Sequence, residues 1–143
     1  HRMMREYYKA LNKLYTSSPA LYEIDNSWDG FKWLNVNDRD RSSVAFMRSG
    51  KDSHMVCACN FTPVKYENFV IGLPEKGTLR EVLSSDEQRF GGNGIRNREL
   101  ILSEDEGFLE FSYSAKIDLP PMSAVFFEYK MNKTEEKDEK GIS

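Results

Sequence analysis

The chain has 143 residues, 39% hydrophobic and 30% charged, with a net charge of −3. That is enough for one ordinary domain with a core of its own, and the mild acidity gives no electrostatic basis for binding nucleic acid or an anionic membrane. No run reaches the roughly 18 apolar residues that a bilayer span needs, and no basic-then-apolar segment is seen, so a cytoplasmic protein is expected.

Met4, Tyr7, Tyr8, Leu11, Leu14 and Tyr15 recur at spacings of three and four, which predicts a helix over residues 2–16. Thr16-Ser17-Ser18-Pro19 stops it. A sequence that opens on helix from its first residues reads as a piece of something longer. The apolar stripe is wide for a helix followed only by a small β-domain. Either it is made for a partner domain or it packs on the β-domain itself. Residues 20–30 form a connection, punctuated by Leu21, Tyr22, Ile24 and Trp28 and ending in the turn signal Asp29-Gly30.

Strand signals follow at short intervals. Phe31–Val36 alternates, with Phe31, Trp33 and Asn35 against Lys32, Leu34 and Val36. Asn37–Asp40 is a polar turn, Ser42–Arg48 the next strand, and Ser49-Gly50-Lys51-Asp52 a hairpin turn. Met55–Phe61 is apolar on both faces, Met55, Cys57, Cys59 and Phe61 on one and Val56 and Ala58 on the other. Such a strand belongs inside a β-structure, covered from both sides. After Pro63 come Tyr66–Gly72, a turn at Pro74–Gly77, and Thr78–Ser84. Residues 85–99 read as a polar, glycine-rich, flexible loop. Phe108–Leu119 gives the cleanest alternation, with Leu109, Phe111, Tyr113, Ala115, Ile117 and Leu119 on one face. Met122–Tyr129 closes the domain. The tail after Lys130 has nothing apolar to bury and is expected to be disordered. The pattern predicts a mainly β fold: an antiparallel, Greek-key β-sandwich of seven or eight strands preceded by one α-helix.

Chemistry is harder to find. Cys57 and Cys59 sit at i and i+2 of one strand, about 6.5–7 Å apart, awkward for a disulfide. They read as buried free thiols. With His1 and His54 alone in support, no metal site or nucleophilic constellation is assembled. The 23 acidic residues cluster in turns and the tail rather than as a fixed carboxylate pair. Gly91-Gly92-Asn93-Gly94 is followed by Ile-Arg-Asn-Arg, unlike a phosphate cradle, which needs a helix and a Lys-Ser/Thr pair. Asn60-Phe61-Thr62 and Asn132-Lys133-Thr134 match the glycosylation pattern by chance. Exposed aromatic rings could stack on sugars, and Trp28 and Trp33 are the candidate contacts, with Tyr22 and Tyr66 behind them. Burial in the core or at a domain interface is the competing fate.

Taken together, a series of segments resembles the C-terminal end of bacterial 1,4-α-glucan branching enzymes, of the α-amylase superfamily. The carriers are Leu11-Asn12-Lys13-Leu14-Tyr15 with Pro19-Ala20-Leu21-Tyr22-Glu23, Gly30-Phe31-Lys32-Trp33-Leu34, Asn60-Phe61-Thr62-Pro63-Val64, Ile71-Gly72-Leu73-Pro74, Arg80-Glu81-Val82-Leu83, Phe90-Gly91-Gly92 and Leu119-Pro120-Pro121-Met122-Ser123-Ala124. The resemblance implies that residues 1–29 are the last helix of a catalytic (β/α)8 barrel and its connection. It implies a C-terminal sandwich domain over 30–130 and a charged tail over 131–143. The family's Asp nucleophile and Glu acid/base lie in the barrel, and no position here matches them. No catalytic residue, metal ligand or cofactor is therefore expected in this chain. The expected partners are the barrel and, as a second candidate, glycogen or another α-glucan. A free-standing glucan-binding module, and the same domain from a debranching or trehalose-forming hydrolase, are the alternatives.

Overall fold

In a computed structural model of the chain, residues 2–17, 31–38, 43–50 and 53–132 are described. The connection bearing Tyr22 and Trp28, and the tail from residue 133 onwards, lie outside the described residues. Helix α1 spans Arg2–Ser17. Its end is written in its own hydroxyls. Thr16 Oγ1 donates to the Asn12 carbonyl at 3.0 Å and Ser17 Oγ to that of Lys13 at 2.7 Å. Such back-bonding competes with continuation of the helix.

Eight strands follow: β1 Phe31–Asp38, β2 Ser43–Ser49, β3 His54–Asn60, β4 Tyr66–Leu73, β5 Gly77–Ser84, β6 Ile101–Leu102, β7 Tyr113–Leu119 and β8 Ser123–Met131. All their pairings are antiparallel. Six form one sheet in the order β1-β2-β3-β8-β5-β6, and β4 and β7 form a second. The chain crosses between sheets after β3, β4, β6 and β7, which gives the predicted antiparallel sandwich.

The apolar strand β3 lies between β2 and β8. Val56 and Ala58 point inward, in register with Met47, Ala45, Phe127 and Val125 on the flanking strands. Facing them are Phe69, Ile71 and Leu73 of β4 and Ala115, Ile117 and Leu119 of β7, all in one buried cluster. Each such side chain taken out of water stabilises the fold by about 1.5–3 kcal/mol before entropy is counted. Gly72 is part of this fit: a Cβ there would run into the Phe111 ring.

Four details depart from the alternation. β3 ends at Asn60, so Phe61 is exposed rather than on a buried strand face. A register shift between Trp33 and Asn35 buries both Leu34 and Asn35, and the Asn35 amide reaches across to the Val70 carbonyl of β4 at 2.7 Å. The long strand predicted over Phe108–Leu119 begins only at Tyr113. Phe108 and Phe111 exchange both backbone hydrogen bonds around Leu109-Glu110, and that tight turn throws Leu109 into solvent with φ of 56°. The two-residue strand β6 was hidden because it is too short to show a period.

The outer face of the large sheet has a second, thinner layer. Met55, Cys57 and Leu83 are buried yet do not belong to the main cluster. Helix α1 touches β5 and the short 3-10 turn Gln88–Phe90, and the Tyr7 phenol lies near both thiols. The helix is thus docked on the β-domain with only part of its apolar surface. Tyr7, Ala10, Leu11 and Leu14 are half-buried, whereas Met4, Tyr8 and Tyr15, one stripe further round, are exposed.

Candidate functional site

The registers place one set of loops at a single pole of the sandwich. Ser43 pairs with Asn60, Asn60 with Ser123, Ser84 with Val125 and Tyr66 with Leu119. The β3–β4, β5–β6 and β7–β8 loops therefore meet there. Two buried polar side chains weld them. The fully buried Asn60 donates through Nδ2 to the carbonyls of Val64 at 2.9 Å and Pro120 at 3.0 Å. Its Oδ1 accepts from the Thr62 N–H at 3.0 Å, the Thr62 hydroxyl at 2.7 Å and the Ser43 hydroxyl at 3.4 Å. An amide so enclosed offers nothing to a glycosylating enzyme, in keeping with the chance reading of Asn60-Phe61-Thr62.

The second weld is Asp86. Its carboxylate accepts from the N–H groups of Asn93 at 3.1 Å and Ile95 at 2.9 Å, and its carbonyl from that of Gly94 at 2.7 Å. Gly91 and Gly94 take the positive φ expected of them, 88° and 80°. The loop is nevertheless not slack, as the sequence suggested: Asp86 wraps it, and Gly92 lies so close to the Asp86 backbone that a Cβ would collide with it. Glu81 extends the hold, accepting from Arg96 Nε at 3.1 Å and from the Asn97 N–H and Nδ2 at 3.2 and 3.0 Å. Asn97 then pairs with the backbone of Asp118 in β7. Residues 95–99 form no helix, so the strand-loop-helix frame of a phosphate cradle is not present there. A cleft of about 360 Å³ lies beside them, lined by Arg80, Glu81, Arg96, Asn97, Arg98 and Glu99.

Of the two aromatic candidates, only Trp33 is among the described residues. It stands on the outer sheet face near the β1 edge, 48% exposed, at 5.0 Å from Phe31 and 5.9 Å from Phe46, edge-on to both. Trp28 lies outside the described residues. Tyr66 is turned to the core instead, 4.9 Å from Phe69.

Both cysteines are free. A hydrogen bond with Cys59 and burial push the Cys57 thiol well above its ordinary range, and the same bond draws Cys59 down. Cys57, neutral and covered by the helix, behaves as a small core side chain. His54 opens β3, its Nδ1 2.8 Å from the Ser49 hydroxyl. Among the described residues no three His, Cys, Asp or Glu side chains converge as metal ligands do. Glu81 and Asp86 spend their oxygens on this chain's own donors.

Over residues 33–130 the chain matches the alpha-amylase C-terminal all-beta domain. The chain belongs to that family. Relatives of this alpha-amylase C-terminal domain include the 1,4-alpha-glucan branching enzyme GlgB 2 of Clostridium perfringens (strain SM101), 37% identical over 91% of this chain and 20% of that protein. The GlgB of Trichodesmium erythraeum is 37% identical over 94% of the chain and 18% of that protein. GlgB 1 of C. perfringens (strain 13) is 36% identical over 96% and 21%. The chain thus spans about a fifth of the length of the curated relatives it matches. Residues 33–143 are less than four-fifths of this chain. An alignment covering 96% of it must therefore take in most of helix α1 as well.

Among the described residues no helix is long and apolar enough to cross a membrane. Sequence reasoning missed Asn60, Glu81 and Asp86 as organisers. Asn60 alone had left a signal, as a lone polar residue in the apolar strand.

Proposed function

We propose that this chain is the C-terminal portion of a 1,4-α-glucan branching enzyme, inert alone and serving to support a catalytic (β/α)8 barrel. In such an enzyme an α-1,4 linkage is cut and the oligoglucan passed to a 6-hydroxyl, with retention, through an Asp nucleophile and a Glu acid/base that lie outside this chain. The observation that carries the reading is that similarity to branching enzymes runs through the helix and the sandwich together. The helix supports it: α1 docks on the sandwich by one stripe and leaves Met4 and Tyr8 exposed. We assign α1 as the last barrel helix and that open stripe as the side turned to the barrel. Debranching and trehalose-forming hydrolases gain no support, since the relatives found carry the branching-enzyme name.

The test is made in the longer enzyme. Tyr8→Lys is expected to lower its thermal midpoint and its branching activity, read by iodine staining of amylose, while residues 1–143 alone show no activity. Full activity and unchanged stability in the Tyr8→Lys enzyme would sink the supporting role.

A second reading rests on Trp33, whose exposed indole backed by Phe31 and Phe46 is a surface a pyranose ring can stack on. It proposes glucan contact at Trp33, with Trp28 nearby in sequence. Affinity electrophoresis in glycogen decides it: retardation that Trp33→Ala and Trp28→Ala abolish supports the contact, and equal mobility with and without glycogen removes it.

A further inference from the structure

We infer that the pole bearing Phe61, Val64 and Met122 is a preformed docking surface for the catalytic part of the same longer chain. This rests on the reading above and adds a contact separate from helix α1. The three side chains are 60%, 67% and 66% exposed, and all lie on the two loops that Asn60 welds together. The Met122 N–H donates to the Thr62 carbonyl at 2.8 Å, closing one loop on the other. An apolar knob of this size, clustered on one pole, is what protein interfaces use.

Two observations argue that it is built to be met. The knob is held rather than loose: the Asn60 bonds fix Thr62, Val64 and Pro120, and the Ser123 hydroxyl donates to the Pro120 carbonyl at 2.7 Å. An ordered surface loses little entropy on docking. Met122 also sits in the left-handed region, with φ of 46°. A turn alone would favour glycine or asparagine there. A long apolar side chain kept in a strained backbone and aimed at solvent marks a position held for contact.

The occupant follows from position. Helix α1 is anchored at the same pole: Tyr7 stands edge-on to Phe90 with ring centroids 5.1 Å apart, just after β5. Strand β5 adjoins β8, which adjoins β3. The strands that feed the two loops, β5 and β3, are thus two strand spacings apart, about 10 Å. Four-fifths of the length of the relatives lies outside this chain, and on the reading above the body to which α1 belongs packs on a helix anchored at this pole. At the rim, Lys65 and Glu67 pair with each other at 3.4 Å, so the patch carries no uncompensated charge from them against an apolar partner.

The experiment compares residues 1–143 with the longer enzyme, each carrying F61S/V64S or Met122→Gly. In residues 1–143 the thermal midpoint should stay within about a degree for F61S/V64S, and stay or rise for Met122→Gly, which relieves the backbone. In the longer enzyme both variants should lower the midpoint by several degrees and speed heat inactivation about tenfold, as loss of a modest apolar contact does. Equal behaviour of each variant in the two proteins would overturn the proposal. So would dimers of residues 1–143 in sedimentation that F61S/V64S dissolves, which would make the occupant a second copy. Loss of glycogen retardation on F61S/V64S with stability unchanged would assign the patch to glucan and overturn it too. Tyr8→Lys in the longer enzyme separates the two readings. If it destabilises while F61S/V64S does not, the barrel-helix assignment stands and this one falls; if neither does, both fall.

Discussion

Strand β3 presents two faces with the same chemistry and different fates. Its inner side, Val56 and Ala58, is sealed between the sheets among rings and branched chains contributed by this chain alone. On its outer side Cys57 and Cys59 lie near Tyr7 of α1, whose neighbouring stripe leaves Met4 and Tyr8 exposed. The inner face is self-sufficient and makes the fold. Exposed apolar side chains lie elsewhere, among them Met4 and Tyr8 on the helix and Phe61, Val64 and Met122 at the pole, and on the reading proposed above those are the places where a larger molecule joins. Hydrophobicity alone does not separate the two roles; what separates them is whether the chain itself supplies the cover.

That contrast can be broken from the inner side first. Phe127, fully buried opposite Val56, is expected to cost about 3–5 kcal/mol on replacement by Ala, as transfer and cavity terms add. Urea denaturation of residues 1–143 reads it, and a loss below about 1 kcal/mol would show that the core is not where the stability lies. Next comes Asn60→Ala, which removes the bonds to the Thr62 N–H and to the Val64 and Pro120 carbonyls, although the two carbonyls keep the Thr62 and Ser123 hydroxyls. A loss of about 1–3 kcal/mol is expected for the bonds of one buried amide, together with faster hydrogen exchange confined to the pole.

On the outer layer the two helix stripes should part company. Tyr7→Ala removes the ring against Phe90 and should cost about 1–2 kcal/mol. Tyr8→Ala on the open stripe should stay within about 0.5 kcal/mol in residues 1–143. Equal losses by denaturation would mean that the helix buries both sides.

The smallest effect is a pH dependence from the core. Burial raises Tyr129 to about 12, against the lesser opposing pull of the hydrogen bond its oxygen accepts from the Glu75 N–H. The folded form therefore holds this proton more tightly than the unfolded chain, whose phenol titrates near 10. The resulting stability is fully present below pH 10 and is lost as pH rises from 10 to about 12. Tyr129→Phe should cost about 1 kcal/mol at neutral pH, from the bonds to Glu75, and should flatten that alkaline limb. The half-buried Tyr7, also raised by burial, keeps a residual slope. An unchanged limb in the variant would place the titration elsewhere.

Much of this was legible residue by residue. Alternation gave most strands to within a residue or two, though it began β7 five residues early and left β6 out, and the lack of polar side chains in Met55–Cys59 placed β3 inside a sheet. Trp33 was visible as a candidate, but its exposure was not. The bulge after Trp33 and the turn at Leu109 were invisible, because the alternation simply continues through both in the sequence. The carboxylates of Glu81 and Asp86 looked like ordinary solvated charge. The partners of the Asp86 carboxylate are backbone N–H groups, which carry no sequence signature, and those of Glu81 are Arg96 and Asn97, too far along the chain for any local pattern to show.

Local patterning therefore determined what repeats along the chain: one amphipathic helix, a succession of pleated strands with a buried side, turns where Gly, Pro and Asn fall, and the order of segments that marks the family. These follow from periods of 2 and 3.6, which a short window contains. Tertiary structure alone decided which apolar surfaces are covered by this chain and which stay open, and where each buried polar group finds its partner. Those outcomes depend on groups as far apart as Asn60 and Pro120 or Tyr7 and Phe90, brought together only when the sheets close and the helix docks.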